Sequence, residues 1–481
     1  MFKVDAIIDI NQVTVDSTVF HLWLLWKVRM SSSRFLFSNG ILSNTLDTPP
    51  VKLFLEAQPG AYTTSRTHNN ASCFLFWERH MKRLSESIRI LSTLAPHLLF
   101  KSNNSAIAPP SWTTLPIWQP TLQMLVDDSM QKVMPIAIKE RVDCQELAVT
   151  TLVSGNLEEL NACETIDEDR VGKILDVHVH IETYVPPAFG ILGNGAHLAL
   201  AGYGRHVAIA KYSDWVRIRK SLEKLRPPSV TELLLSNDGN HILEGCVTNF
   251  FVVCCKVSMI LNMAYYILAY ILCTFFFIRI PTAYFASPPQ LELNGQDSDD
   301  KANGNKYPFE VQTAPLSDGV LPGIIRQVVI EKIKHRMEVK KKNGNKKKNL
   351  VVIEPLRSDL YYVSRVCRSE GIPIREVAPS WSEHGIWEEA FITSISSLFS
   401  LISNVNLGTN DVVGGLRILQ HVESIQVPTE WQSIHSKTWK DISWTKKQFQ
   451  GRPGMITTII QEKIMEKATL EGYSISNICK R

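Results

Sequence analysis

Short apolar runs broken by turn residues fill positions 30–70, and Gly60 to Thr67 is rich in strand formers before the turn signal His68-Asn69-Asn70. A second strand over Cys73–Phe76 would complete a hairpin. Met81, Leu84, Ile88 and Leu91 recur at helical spacing, which predicts a helix over about 77–93. Residues 102–120 are rich in Ser, Asn and Pro and read as loop, 121–142 as helix and 145–154 as strand. From Ile174 to Tyr184, His178, His180 and Glu182 alternate with Val177, Val179 and Ile181, the period of a strand.

Pro186-Pro187 through Gly204 reads as loop, with Gly202-Tyr203-Gly204-Arg205 taken as a turn. The chain is organised around the stretch from Lys211 to Asn249. Lys211 opens an amphipathic segment, then come an apolar strand over Thr231–Leu235, the turn Asn237-Asp238-Gly239-Asn240 and a second strand that carries Glu244. A further strand runs from Asn249 to Val253. Asp318-Gly319 marks a turn, and Pro322 suits the first turn of a helix opening at Gly323-Ile324-Ile325-Arg326. Glu388 to Ser397 reads as a strand ending in hydroxyls, and 455–469 as a helix.

Two stretches interrupt this pattern. Val257 to Ile278 is 22 residues without a charge, and about 20 apolar residues suffice to cross a bilayer. Residues 285–306 are polar and read as disordered. Lys332 to Lys348 holds nine Lys/Arg and one acid and reads as a solvated basic loop.

Composition changes the picture only by exclusion. A chain of 481 residues has room for two or three domains. Its 44% hydrophobic and 20% charged content is that of an ordinary soluble protein. A net charge of +4 is too small to imply a nucleic-acid partner. Nine cysteines without a C-x-x-C pair point to free thiols in a reducing compartment, not to a disulfide framework or a zinc site. Asp5, Asp9 and Asp16 before the apolar patch Phe20–Trp26 fit neither a secretory signal nor a transit peptide, so a cytoplasmic location is expected, with Met30 as an alternative start. His178 and His180 share a strand face, but no third ligand stands near, so they read as a solvated face and no metal is expected.

HMKRL (80–84), the 33-residue step from Lys211 to Glu244, EGCVTNFF (244–251), LPGIIR (321–326) and EEAFITS (388–394) occur in one order. Together they resemble the class IV aminotransferases, pyridoxal phosphate (PLP) enzymes that include branched-chain and D-amino acid aminotransferases and aminodeoxychorismate lyase. The resemblance covers about 32–253, 307–331 and 366–425. It implies an α/β (α+β) fold of two domains: an N-terminal extension over 1–30, a small α/β domain over 31–170, a larger PLP-binding domain with a barrel-like sheet over 171–430, and a C-terminal helical segment over 431–481. Removing about 256–303 and 332–365 restores an ordinary family pattern, so both read as inserts. A membrane tether through Val257 to Ile278 is not favoured, because one span would put the two halves of a domain on opposite sides of the bilayer.

The resemblance also implies roles. Lys211 would bond PLP covalently and later move a proton; Lys220 and Lys224 fit the family spacing less well. Glu244 would face the pyridine nitrogen. Arg83 would pair with the phosphate, as a guanidinium fork suits its oxygens, whereas Arg79 and Lys82 read as exposed. Ile324 and Ile325 would offer backbone N–H groups to the phosphate at a helix start. The family usually has threonine at the positions of Ile325 and Ile395; Ser394 and Ser396 flank the latter and could substitute. Tyr62 and Arg66 would line the substrate side. The expected function is amino-group transfer between an amino acid and a 2-keto acid by a homodimer, with a PLP lyase or an inactive, membrane-tethered homologue as alternatives.

Overall fold

A computed structural model of the chain describes residues 34–43, 48–100, 118–141, 145–162, 168–184, 195–255, 309–331, 373–394, 419–431 and 440–478, apart from 446–448 and 452–453. The N-terminal extension, Val257 to Ile278, the basic run, Ile395 and Ser396 lie outside the described residues.

Among the described residues, sixteen strands form two sheets of mixed α/β architecture. The first is built from β1 (Arg34–Ser38), β2 (Ile41–Leu42), β3 (Ala61–His68), β4 (Cys73–Phe74), β5 (Glu146–Gly155), β6 (Leu175–Tyr184) and β16 (Tyr473–Ser474), in the order β16-β4-β3-β5-β6-β1-β2. The predicted hairpin is β3–β4, and Asn69, Asn70 and Ala71 turn the chain at positive φ. The Trp77–Leu94 helix packs on β3 through Met81, Leu84, Ile88 and Leu91, the stripe read from the sequence, all buried.

The second sheet holds β7 (Ala196–Leu200), β8 (Glu232–Ser236), β9 (Ile242–Gly245), β10 (Asn249–Cys255), β11 (Phe309–Thr313), β12 (Ile374–Glu376), β13 (Trp387–Thr393), β14 (Leu419–Gln426) and β15 (Phe449–Gln450). Its order is β12-β11-β10-β13-β14-β7-β8-β9, with β15 on β14. The β8–β9 hairpin turns at Gly239, where φ is 80°. β7 corrects the loop reading of 186–204: it pairs in parallel with β8 and β14, partners distant in sequence. The Met455–Leu470 helix lays Ile456, Ile459, Ile460 and Ile464 against Phe251 and Phe391 of this sheet, and β16 then returns to the first.

Two surface readings are corrected by packing. His178 and His180 do not form a solvated face. His180 is 1% exposed, bonds the Pro49 carbonyl at 2.8 Å and stacks on Phe54, while His178 bonds Ser38 Oγ at 2.9 Å. Arg79 is not a free surface arginine: it reaches Glu331 at 2.7 Å and Glu471 at 2.9 Å, joining three helices. Among the described residues no helix is long and apolar enough to cross a membrane, and no cluster of metal-ligating side chains is found.

Candidate active site

Lys211 sits on an extended step just before the Asp214–Glu223 helix. Its backbone is held at both ends: its N–H donates to Ser87 Oγ of the Trp77–Leu94 helix at 3.1 Å, and its carbonyl accepts from Tyr62 N at 3.0 Å. Its Nζ lies 4.9 Å from the Tyr62 ring centroid. Burial pushes the amine well below the usual lysine range; Arg83, Arg205 and Arg219 push the same way, and Glu244 opposes them. The two competing lysines lack this setting. Lys220 pairs with Glu56 at the surface, and Lys224 is exposed and not among the residues lining the cleft described below.

Glu244 lies at the end of β9 and is 2% exposed. Arg205 donates from Nε to its Oε1 at 2.9 Å, and in the same ion pair Nη2 lies 2.8 Å from that oxygen. Leu321 N donates to its Oε2 at 3.0 Å, and Asn249 Nδ2 reaches the same atom at 3.3 Å. Burial raises the carboxyl above its usual range, chiefly against the Arg205 charge and the Leu321 bond. Asn249 Nδ2 also donates to the Leu321 carbonyl at 3.0 Å, and its Oδ1 occupies the space a Cβ on Gly323 would need. Glu244 and Asn249 thereby tether the turn that opens the helix over 324–331.

Ile324 and Ile325 start that helix, and their side chains are buried with Phe76, Phe251 and Phe391. Neither lines the cleft described below, and they can offer a ligand only backbone groups. Ser394 follows β13, and Thr393 before it has a buried hydroxyl without a hydrogen-bond partner, in register with Asn249. The sequence does not single out Thr393, because the hydroxyls after it carry the family pattern.

Arg83 is 8% exposed, and its Nη2 donates to Thr63 Oγ1 at 2.9 Å. Thr63 Oγ1 also lies 2.8 Å from His80 Nδ1. Burial, aided by Arg83 and Lys211, pushes His80 well below the usual range, so that imidazole is neutral. Arg83 Nε is buried without a hydrogen-bond partner, and no carboxylate among the described residues pairs with this guanidinium. Burial lowers Arg83 to about 10, with Tyr62 opposing.

A cleft is walled by Tyr62 and Thr64 of β3, Trp215 and Arg219 of the Asp214–Glu223 helix, and the 244–249 turn, with Lys211 and Arg205 among its lining. Arg83 does not line it, yet lies close enough to act on the Lys211 amine. Arg66 is 2% exposed and not part of the wall; Thr64, between Tyr62 and Arg66, is. Arg205, a turn residue by sequence, proves to be the partner of Glu244. Its cation also stands 5.4 Å from the Trp215 ring centroid.

The 244–249 turn is tight for a physical reason. A Cβ on Gly245 would overlap Thr248 Oγ1 and Glu232 Oε1. Gly245→Ala is expected to cost about 1–3 kcal/mol by overpacking, read as a lowered denaturant midpoint. Glu232 accepts from Val247 N at 2.8 Å and Thr248 Oγ1 at 3.0 Å; burial pushes it up to about 7 despite those bonds. A carboxyl raised on folding stabilises fully below its unfolded value of 4.5 and loses that contribution as pH rises towards 7. Glu232→Gln is therefore expected to flatten the stability-against-pH curve between those values, as measured by thermal melts.

No protein-family model and no curated protein matches the chain. Among solved structures, the chain is similar to the branched-chain aminotransferase of the archaeon Thermoproteus uzoniensis with norvaline (14% identity, 92% of this chain and 99% of that one, TM-score 0.44). It is also similar to the branched-chain amino acid aminotransferase of Escherichia coli (13%, 89% and 92%, TM-score 0.41). The PLP-bound form of a hypothetical aminotransferase from Mycobacterium tuberculosis matches at 10% identity over 90% and 98% of the chains, with TM-score 0.43. Likeness at this level assigns neither a family nor a chemistry to the chain; the chemistry is read from its own side chains.

Proposed function

We propose that the chain is a PLP-dependent aminotransferase of the class IV type, transferring an amino group between an amino acid and a 2-keto acid, its two sheets being the small and large domains. The observation that carries this is that Lys211 and Glu244 line one cleft while Arg83, from a third element, lies close enough to act on the Lys211 amine.

The residues present fit such a cofactor. Arg83 brings a buried Nε in need of an acceptor, which a phosphate supplies. The backbone N–H groups of Ile324 and Ile325, at a helix start, suit the same anion. Thr393 and Ser394 stand beside them in the proposal as hydroxyl donors in place of the family threonines. When bound, PLP supplies an electrophilic carbon and an aromatic ring that stores electrons. Lys211, its amine pushed well below the usual lysine range by burial and three guanidiniums, would be the nucleophile toward that carbon and would afterwards take and return the substrate α-proton. Glu244 would keep a proton on the ring nitrogen. Its oxygens already accept from three donors, Arg205 Nε, Leu321 N and Asn249 Nδ2, against about four lone-pair sites on a carboxylate. A ring N–H would be the fourth, and Asn249 at 3.3 Å is the most weakly held of the three. Tyr62 and Thr64 orient the substrate.

The test is a turnover assay on purified protein with PLP, using a panel of L- and D-amino acids with and without 2-keto acids. Amino-group release that depends on the keto acid is expected. Turnover that proceeds without any keto acid would mean a lyase and would overturn the proposal.

A further inference from the structure

We infer that Arg219 is an oxyanion-binding residue of this cleft, a specificity determinant that holds a carboxylate of the incoming substrate. The inference rests on the proposed function and names a residue that neither the sequence pattern nor the cofactor roles call for.

Arg219 follows Trp215 by four residues, so both lie on the inward face of the Asp214–Glu223 helix. Trp215 fixes that face by donating from Nε1 to the Cys246 carbonyl at 2.7 Å. Arg219 lines the cleft with Lys211 and Tyr62, and its side chain is only 4% exposed. A guanidinium carries five N–H donors. None of those of Arg219 makes a hydrogen bond to another described residue, and its Nε is buried without a partner.

The nearest carboxylate is Glu223, whose Oε1 is 3.3 Å from Nε, and its other oxygen is held by Lys52 at 2.6 Å. Glu232 also feels the Arg219 charge, but its oxygens are taken by Val247 and Thr248. A buried donor set of this kind is costly to leave unmade, and its planar fork matches a carboxylate. Arg205 is committed to Glu244, and Arg83 is the phosphate partner in the proposal. The unspent fork on the cleft wall is thus Arg219.

The experiment measures binding, not turnover, on PLP-loaded wild-type protein and on Arg219→Gln and Arg219→Lys. Valerate and its neutral analogue valeramide are titrated by calorimetry; PLP and phosphate-free pyridoxal are titrated separately into cofactor-stripped protein. Wild type is expected to bind valerate more tightly than valeramide. Arg219→Gln should lose about 10- to 100-fold in valerate affinity, the weight of a hydrogen bond to a charged group, with valeramide unchanged and Arg219→Lys in between. PLP and pyridoxal affinities should move less than about twofold, within the spread expected for a contact not made. Unchanged valerate affinity in the glutamine variant would overturn the inference. So would a loss confined to PLP, which would make Arg219 a phosphate ligand. If stripped wild type shows no PLP binding, the cofactor reading fails, and the valerate titration, run on the cofactor-free proteins, still decides Arg219. Should the glutamine variant not fold, the lysine variant decides: valerate affinity equal to wild type contradicts the inference.

Discussion

Lys211→Ala is expected to remove the visible absorbance that PLP gives when bonded to the protein, and to lower kcat/KM by at least about 10²- to 10⁴-fold, the reach of one general acid–base group. A small primary amine in the buffer should restore part of the rate, because the pocket and Arg83 remain. The same substitution should not lower stability. The amine is penalised by burial and by Arg83, Arg205 and Arg219, so the folded protein holds that proton less readily than the unfolded chain. Where the unfolded state binds more protons, stability rises with pH. Cofactor-free wild type should therefore gain stability as pH climbs towards 10.5, the ordinary lysine value, and the alanine variant should lack that component. Melts across pH read this directly; an unchanged slope in the variant would mean that the amine is charged and solvated.

The second large effect is on stability. Glu244 and Arg205 form an ion pair whose side chains are 2% and 4% exposed. Removing one partner of a buried pair typically costs about 3–5 kcal/mol, since a charge is left without an acceptor. Glu244→Ala is expected to lose that much, and Leu321 N loses its acceptor as well. Arg205→Met with Glu244→Leu should recover much of the loss while abolishing turnover, because replacing both charges removes the desolvation cost together with the attraction. The double-mutant cycle, by denaturant unfolding, gives the coupling. A single-mutant loss below about 1 kcal/mol would place the pair in the class of solvent-screened contacts.

Local patterns carry most of the information that is legible in the sequence. The Trp77–Leu94 helix, the β8–β9 hairpin and β10 are legible because periodicity and turn residues act over a few positions. Lys211, Glu244 and Arg83 stand out from the spacing and order of motifs, and the structure brings all three to one region.

The features that escape such a reading are decided by contacts between distant segments. Arg205 sits among glycines, and its partner lies 39 residues on, so a turn is the natural reading. Arg219 looks like one charge in an amphipathic helix; its burial comes from Trp215 docking on Cys246. β7 has only five residues and pairs in parallel, with partners supplied by β8 and β14. His180 reads as solvated because Pro49 and Phe54, which cover it, come from over 120 residues away. Arg66, expected at the substrate, lies off the cleft wall, which β3 supplies through Tyr62 and Thr64, two residues apart on one side of the strand.

The most direct measurement of the central claim is covalent trapping. Purified protein is loaded with PLP, reduced with borohydride, digested and mapped by mass spectrometry. The account predicts one phosphopyridoxyl group, on the peptide that holds Lys211. A label on Lys220 or Lys224 instead, or no label at saturating PLP, would contradict it.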